Sequence, residues 1–300
     1  MKILVCIKQI STSDINMDDS GQWVTDKNSS SLAISRFDEN ALEEAILLKE
    51  RLKDHFGLTD TSVDVISVGG VTAAESIKRA MGMGADNGIH IVTEDKGYVS
   101  AAVTASRLAI MVKGMGDVSC SSCPYDLVLT GIMSEDLMQA QVGPMLAEHL
   151  NIPCVTSVIN VKLNDILNNR ITNDNKLANT ENRVKKEIEI QRELEGGIRQ
   201  NIKLKLPALL TIQAGINQPR YPSLSNILRA NKQQIESCKV SNLFDNQTCY
   251  SSTTNNFLYD PIHIVRVEYP EKKREGRVLY GTTEDKANEL RSILKQRGLI

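Results

Sequence analysis

Leu127-Val128-Leu129-Thr130-Gly131 runs directly into Ile132-Met133-Ser134-Glu135-Asp136-Leu137-Met138-Gln139-Ala140-Gln141-Val142-Gly143-Pro144, and how this stretch is read decides the fold. A short aliphatic run without alternation is a strand covered on both faces, which a parallel sheet sandwiched by helices requires. The polar residues after Gly131 read as a loop, and the spacing predicts a helix from about Ala140 to Leu150. Strand, loop and helix in that order put the loop at the carboxyl end of a strand, where open α/β sheets hold their ligands. Backbone N–H groups in a first helical turn lack intrahelical acceptors and lie at the positive end of the helix dipole. The turn is therefore a candidate anion site, for phosphate above all. Gln139 and Gln141 add amide donors, Gly143 permits close backbone approach, and Pro144 suits an early helical position. A plain surface connection with an ordinary cap is the alternative, because the stretch matches neither the P-loop nor the dinucleotide fingerprint.

The same alternation recurs upstream. Ile3 to Ile7 is a buried-type strand; after an irregular stretch, Asp38-Glu39-Asn40 opens a helix beginning Ala41-Leu42-Glu43-Glu44-Ala45. Val63 to Val68 is the next strand, Gly69-Gly70 a second possible wall for a ligand, and Thr72 to Met81 a helix. Ile89 to Val92 and Ser100 to Val112 repeat the unit. Gly82-Met83-Gly84 follows a helix instead of a strand, so it reads as a helix stop. Repeated strand-then-helix units need right-handed crossovers, and the expectation is a doubly wound, mostly parallel α/β sheet.

Composition narrows the function classes. Three hundred residues, 41% hydrophobic and 24% charged, are enough for a full core. Lys+Arg 35 against Asp+Glu 37 gives a net charge of -2, so nothing draws the chain to nucleic acid or an anionic membrane. No apolar run approaches a membrane span, and the expected location is the cytoplasm. Six scattered cysteines read as reduced thiols, and Cys120-Ser-Ser-Cys123 lacks the further ligands of a zinc site. His90 and His263 lie in strand-like stretches and His149 ends a helix, so they read as packing residues. Glu43-Glu44 and Asp18-Asp19 read as solvated faces, and no catalytic constellation stands out.

The second half is less regular. Residues 164–182 are Asn-rich and read as a flexible insertion within a domain spanning 1–235. Glu187 to Leu194 and Ile198 to Leu206 read as two strands joined at Gly196-Gly197, and Ala208 to Ile212 as another buried strand. Asn217 to Ser223 is a proline-bounded loop with exposed-type residues. Residues 236–300 read as a C-terminal arm with a strand at Ile262 to Val267 and a helix from about Glu284 to Gln296. That helix has one apolar face, at Leu290, Ile293 and Leu294.

Five segments together carry a resemblance: Lys2 to Gln9, Phe37 to Ala45, Ala80 to Asp86, Ala140 to Pro144, and Asn217 to Leu224. In this order they resemble the β (small) subunit of electron transfer flavoproteins, the FixA-type family. The resemblance implies a Rossmann-like, adenine-nucleotide-binding fold with an arm that embraces an α subunit. It implies an electron carrier and not an enzyme, with FAD shared between the subunits and either AMP or a second FAD in this one. The implied partners are a donor dehydrogenase and an acceptor quinone reductase, or ferredoxin or flavodoxin in an electron-bifurcating complex that oxidises NADH. By matching motif positions, the implied nucleotide site comprises Cys6, Ser35, Arg36, Phe37, Asp38, Val68, Ile132, Met133, Ser134, Glu135, Asp136, Leu137, Met138, Gln139, Ala140, Gln141, Val142 and Gly143. The implied partner-recognition segment is Asn217, Gln218, Pro219, Arg220, Tyr221, Pro222, Ser223 and Leu224. Asp136-Leu137-Met138-Gln139 stands where bifurcating relatives carry Asp-Gly-Asp-Thr, and AMP-binding relatives do not read Val-Gly-Pro. Both nucleotides stay open. A nucleotide-sensing or ATP-pyrophosphatase-like module would want a Ser-Gly-Gly-x-Asp-Ser loop after the first strand, and Lys8-Gln9-Ile10 is not one.

Overall fold

The computed structural model describes residues 1–12, 16–17, 23–24, 32–95, 98–116, 123–162, 187–243 and 276–300. Strand β1 (Lys2–Cys6) leads through β2 (Gln9–Ser11), the two-residue strands β3 (Asn16–Met17) and β4 (Trp23–Val24), and β5 (Leu32–Ile34) into α1 (Arg36–Phe56). Then come β6 (Ser62–Gly69), α2 (Ala73–Met83), β7 (Asn87–Val92), α3 (Ala101–Gly114), β8 (Leu127–Gly131), α4 (Val142–Leu150) and β9 (Cys154–Lys162). The remainder comprises β10 (Glu187–Glu193), β11 (Arg199–Lys205), β12 (Ala208–Ile212), α5 (Leu224–Lys232), β13 (Glu236–Lys239) and α6 (Thr283–Gln296).

One nine-stranded sheet runs β11-β10-β9-β12-β8-β1-β6-β7-β13. It is parallel from β9 to β13, with β10 and β11 added antiparallel at one edge. The strand period of two splits each central strand between two cores. Ile3, Val5, Val63, Val65, Leu127 and Leu129 pack into the layer that holds Leu42, Ile46 and Leu52 of α1 and Ile77 and Met81 of α2. Leu4, Cys6, Ile66 and Val128 pack into the other, with Leu108 and Val112 of α3 and Leu146 and Leu150 of α4. Helices thus cover both faces, and the expected doubly wound sheet is the observed one. Among the described residues no helix is long and apolar enough to cross a membrane.

Several boundaries differ from the sequence reading for physical reasons. Helix α4 starts at Val142, because Ala140 has φ 55, in the left-handed region. The irregular stretch after β1 contains a ribbon, β2 paired antiparallel with β5. Strand β9, which sequence periodicity did not single out, shifts register against β12 between Leu210 and Ile212, and Ser157 beside that shift has φ 59. Helix α5 starts where the proline-bounded loop ends, with the Ser223 hydroxyl accepting from the Asn226 N–H. Strand β13 pairs parallel with β7 and carries the sheet past residue 235. The chain separates into compact units Met1–Ile264 and Val265–Ile300. In the second unit a capping box between Thr282 and Asp285 starts α6, which has no buried residues. The expected strand at Ile262 to Val267, the Asn-rich insertion, Asp18, Asp19, Cys120 and His263 lie outside the described residues.

Candidate functional site

A pocket of about 360 Å³ opens at the carboxyl ends of β1, β6, β7 and β8. In the sheet β6 flanks β1 on one side and β8 on the other, so the crossovers diverge there and leave a crevice between them. Cys6 and Lys8 follow β1, Val68 to Gly70 end β6, Gly131 ends β8, and Ile132, Met133, Ser134, Asp136, Leu137 and Gln139 to Gly143 line the side.

Asp38, in the first turn of α1, ties the base of the pocket together. One carboxylate oxygen accepts the Lys8 N–H at 2.9 Å and the other the Gly131 N–H at 2.9 Å. Burial raises its pKa to about 7, against the lowering influence of those two bonds. Gly131 makes the approach possible: a Cβ there would lie 2.6 Å from Asp38 Oδ1 and 2.7 Å from Phe37 Cβ. Burial, and then the charges of Asp38 and Cys123, push the Cys6 thiol far above the usual range, so it stays protonated and acts as a packing group.

The turn is held from both sides. Lys8 Nζ pairs with Asp136 at 2.6 Å, and the Met138 N–H donates to the Ser134 carbonyl at 2.9 Å. Partial burial raises the Asp136 pKa, but hydrogen bonds from Lys8 and Ser134 and the Lys8 charge outweigh it and hold the carboxylate below its usual range. Met138 (φ 52) and Ala140 (φ 55) both adopt a backbone conformation that L residues rarely take, the kind of strain that concentrates at binding sites. Among the described residues no side chain caps α4, so its first amides are left for another acceptor. A Cβ on Gly143 would lie 2.7 Å from Thr211 Cγ2 and 2.8 Å from Thr130 Oγ1, so the glycine seats the helix against β12 and β8. Amide donors at one wall and apolar Val68, Val99 and Leu108 elsewhere in the lining fit a phosphate-bearing group with a flat apolar moiety.

Ser35, Arg36, Phe37, Glu135 and Met138 stand outside the lining and brace it. The Ser35 N–H donates to the Lys8 carbonyl at 3.0 Å, its buried hydroxyl has no partner among the described residues, and the Arg36 N–H donates to Glu135 at 3.0 Å. Sequence reasoning missed the wall from β7 and α3, where Thr93, Asp95, Tyr98, Ala101, Thr104 and Arg107 line the pocket. The signal was present: the loop after β7 also sits at the carboxyl end of a strand, and Ser100 caps α3 through the Val103 N–H. Tyr98 meets the turn directly, its hydroxyl accepting from Gln139 Nε2 at 3.1 Å.

The segment 217–224 lies elsewhere, along α1 and α2. Arg220 donates from Nε and Nη2 to Glu43 and from Nη1 and Nη2 to Glu50, at 2.7 to 3.1 Å. Asn217 Nδ2 donates to Glu44 at 3.1 Å and to the Asn40 carbonyl at 3.0 Å. Glu43 and Glu44 are thus buried, at 3% and 2% exposure, and not a solvated face; their partners come from far along the chain. Tyr221 and Leu224 project outward, 88% and 73% exposed, and Arg79 lies 5.9 Å from the Tyr221 ring centre.

The sequence profile of the electron transfer flavoprotein domain matches residues 22–243. The chain is 30% identical to the electron transfer flavoprotein subunit beta of Bacillus subtilis, over 94% of this chain and 90% of that protein. It is 29% identical to the subunit of the same description from Homo sapiens, over 98% of each chain. Along its whole length, 100% of both chains, it is 29% identical to the caffeyl-CoA reductase-Etf complex subunit CarD of Acetobacterium woodii.

Proposed function

Because this chain belongs to the electron transfer flavoprotein family, as a beta subunit, we propose that its pocket holds AMP, with the phosphate on the amides of the Gln139 to Gly143 turn. A beta subunit works in a heterodimer with an alpha subunit, carries electrons instead of catalysing a reaction of its own, and shares in a flavoprotein whose flavin is a property of the pair. The observation that carries the reading is the uncapped α4 terminus beside two left-handed residues, at the point where the sheet's crossovers diverge. Bound flavin supplies the electron-accepting chemistry. The residues of this chain bind and orient: Lys8 and Asp38 brace the turn, Gly143 seats the helix, and Val68, Val99 and Leu108 keep water from a base.

The segment 217–224 is the proposed docking element for a donor dehydrogenase, with Tyr221 and Leu224 exposed and the backbone beneath them clamped by Arg220. The acceptor is proposed to be a quinone reductase. A second reading puts a second FAD in the pocket of an NADH-oxidising, bifurcating complex; Ala140-Gln141-Val142-Gly143-Pro144 favours it. The test is co-expression with the alpha subunit and mass spectrometry of the released cofactors. One FAD and one AMP per heterodimer is the expected result, two FAD would replace AMP by the second reading, and a complex without adenine nucleotide in this subunit would defeat both.

A further inference from the structure

Arg107 and Asp95 form a charge pair in the pocket wall that the phosphate turn does not use. Only 7% of the Arg107 side chain is accessible, against 38% for Asp95. Arg107 Nη1 donates to Asp95 Oδ2 and, at 3.4 Å, to Thr93 Oγ1. Its Nε–H is buried and has no acceptor among the described residues. A guanidinium is permanently charged and carries five donors in a rigid fork, so burying one with a donor left unfilled is unfavourable unless something else compensates it. Asp95 is the complementary half. Partial burial raises its pKa, but hydrogen bonds from Arg107 and Thr93 and the Arg107 charge hold it below the usual carboxylate range, so it is an acceptor near neutral pH. Both of those bonds fall on Oδ2, and Oδ1 accepts nothing among the described residues.

An anionic group does not suit this wall. The pair is neutral overall, and its more accessible member is the carboxylate, so an incoming phosphate would meet negative charge first. The same pocket is also lined by apolar Val68, Val99, Ala101 and Leu108. A partly apolar lining with a donor and an acceptor paired in one wall matches the edge of an amino-purine, whose exocyclic amine donates next to a ring nitrogen that accepts. We infer that Arg107 and Asp95 read the base of the bound nucleotide, Arg107 donating to an adenine ring nitrogen and Asp95 accepting from the 6-amino group. This rests on the reading of the pocket as an adenine-nucleotide site, and it holds equally for AMP and for the adenosine half of FAD.

The test uses the heterodimer stripped of nucleotide and titrated calorimetrically with AMP, IMP and ribose 5-phosphate. IMP carries a carbonyl in place of the amine and would face the Asp95 carboxylate with it. Wild type binds AMP at least about tenfold more tightly than IMP, the consequence of one lost and one repulsive polar contact. Asp95→Asn and Arg107→Gln each shrink that ratio to within about threefold while ribose 5-phosphate, held at the turn, binds as before. If Arg107→Gln also loses ribose 5-phosphate it has lost the pocket, and Asp95→Asn, at the more exposed position, decides. Equal affinity of wild type for AMP and IMP, or an unchanged ratio in Asp95→Asn, overturns base reading and leaves the nucleotide site standing. Failure of wild type to bind either AMP or ribose 5-phosphate removes the nucleotide site itself, and base reading with it.

Discussion

Asp38 joins three parts of the pocket through one carboxyl: its own helix, the backbone after β1 at Lys8, and the end of β8 at Gly131. Its pKa is raised to about 7 by burial, above that of an exposed carboxyl. The protonated folded form is therefore favoured, and the stabilisation is fully present below the unfolded pKa near 4 and lost as pH rises through about 7. Thermal unfolding of wild type and Asp38→Asn across this range measures the effect: the variant keeps a flatter profile, and parallel profiles would refute the assignment. Gly143 carries a second residue-scale expectation. Gly143→Ala puts a methyl 2.7 Å from Thr211 Cγ2, in a wall made of strands that cannot recede, and should destabilise the domain by about 1–3 kcal/mol in urea unfolding. Because the strain falls on the first turn of α4, nucleotide retained through purification should fall with it. Gly143 was legible as a close-approach glycine, but what it approaches, Thr130 and Thr211, was not, since those residues meet it only once β8 and β12 are side by side.

At the scale of elements, the segment 217–224 depends on α1 for its shape. Arg220 joins Glu43 and Glu50 across the helix surface, and Asn217 exchanges hydrogen bonds with Asn40 and donates to Glu44. Burial raises the Glu44 pKa despite Asn217 and Arg51, whereas the Arg220 hydrogen bond lowers that of the more exposed Glu50. Arg220→Ala leaves the Glu43 carboxylate, 4% accessible, without its charged partner. With Arg220 itself 34% accessible and partly screened, the expected loss is about 1–3 kcal/mol, together with faster proteolysis near Tyr221. A variant as stable and as protease-resistant as wild type would mean that the clamp does not shape the segment. The helix period made α1 plain in the sequence, yet Glu43 and Glu44 read as solvent-facing, because burial of a carboxylate depends on a partner and Arg220 lies 177 residues from Glu43. Helix α5 was missed for a related reason. Its start hangs on one hydroxyl cap, and Leu224, Leu228 and Ile227, at 73%, 55% and 36% exposure, do not mark a buried face.

For the whole molecule, the division of the sheet's side chains into two cores is what opens a crevice, since α1 leaves β1 on one face and α4 leaves the neighbouring β8 on the other. The second unit is another matter: α6 is well capped, but none of its residues, Leu290, Ile293 and Leu294 included, is buried. If this arm docks on the alpha subunit, as the family resemblance implies, amide hydrogen exchange across Thr283–Gln296 should be fast in the isolated chain and slow by tenfold or more in the heterodimer. Identical exchange in both would exclude docking through this helix. By itself the sequence determined the strand–helix alternation, the doubly wound class, the position of the loop between β8 and α4 and the membership of a family, because these rest on local periodicity, caps and contiguous motifs. Only the tertiary structure decided that Asp38 braces the pocket, that Glu43 and Glu44 are buried under Arg220, and that Arg107 and Asp95 share a wall with the turn. A charged side chain acquires its role from what lies opposite it, and in a fold made of crossovers that partner is set by which strands become neighbours.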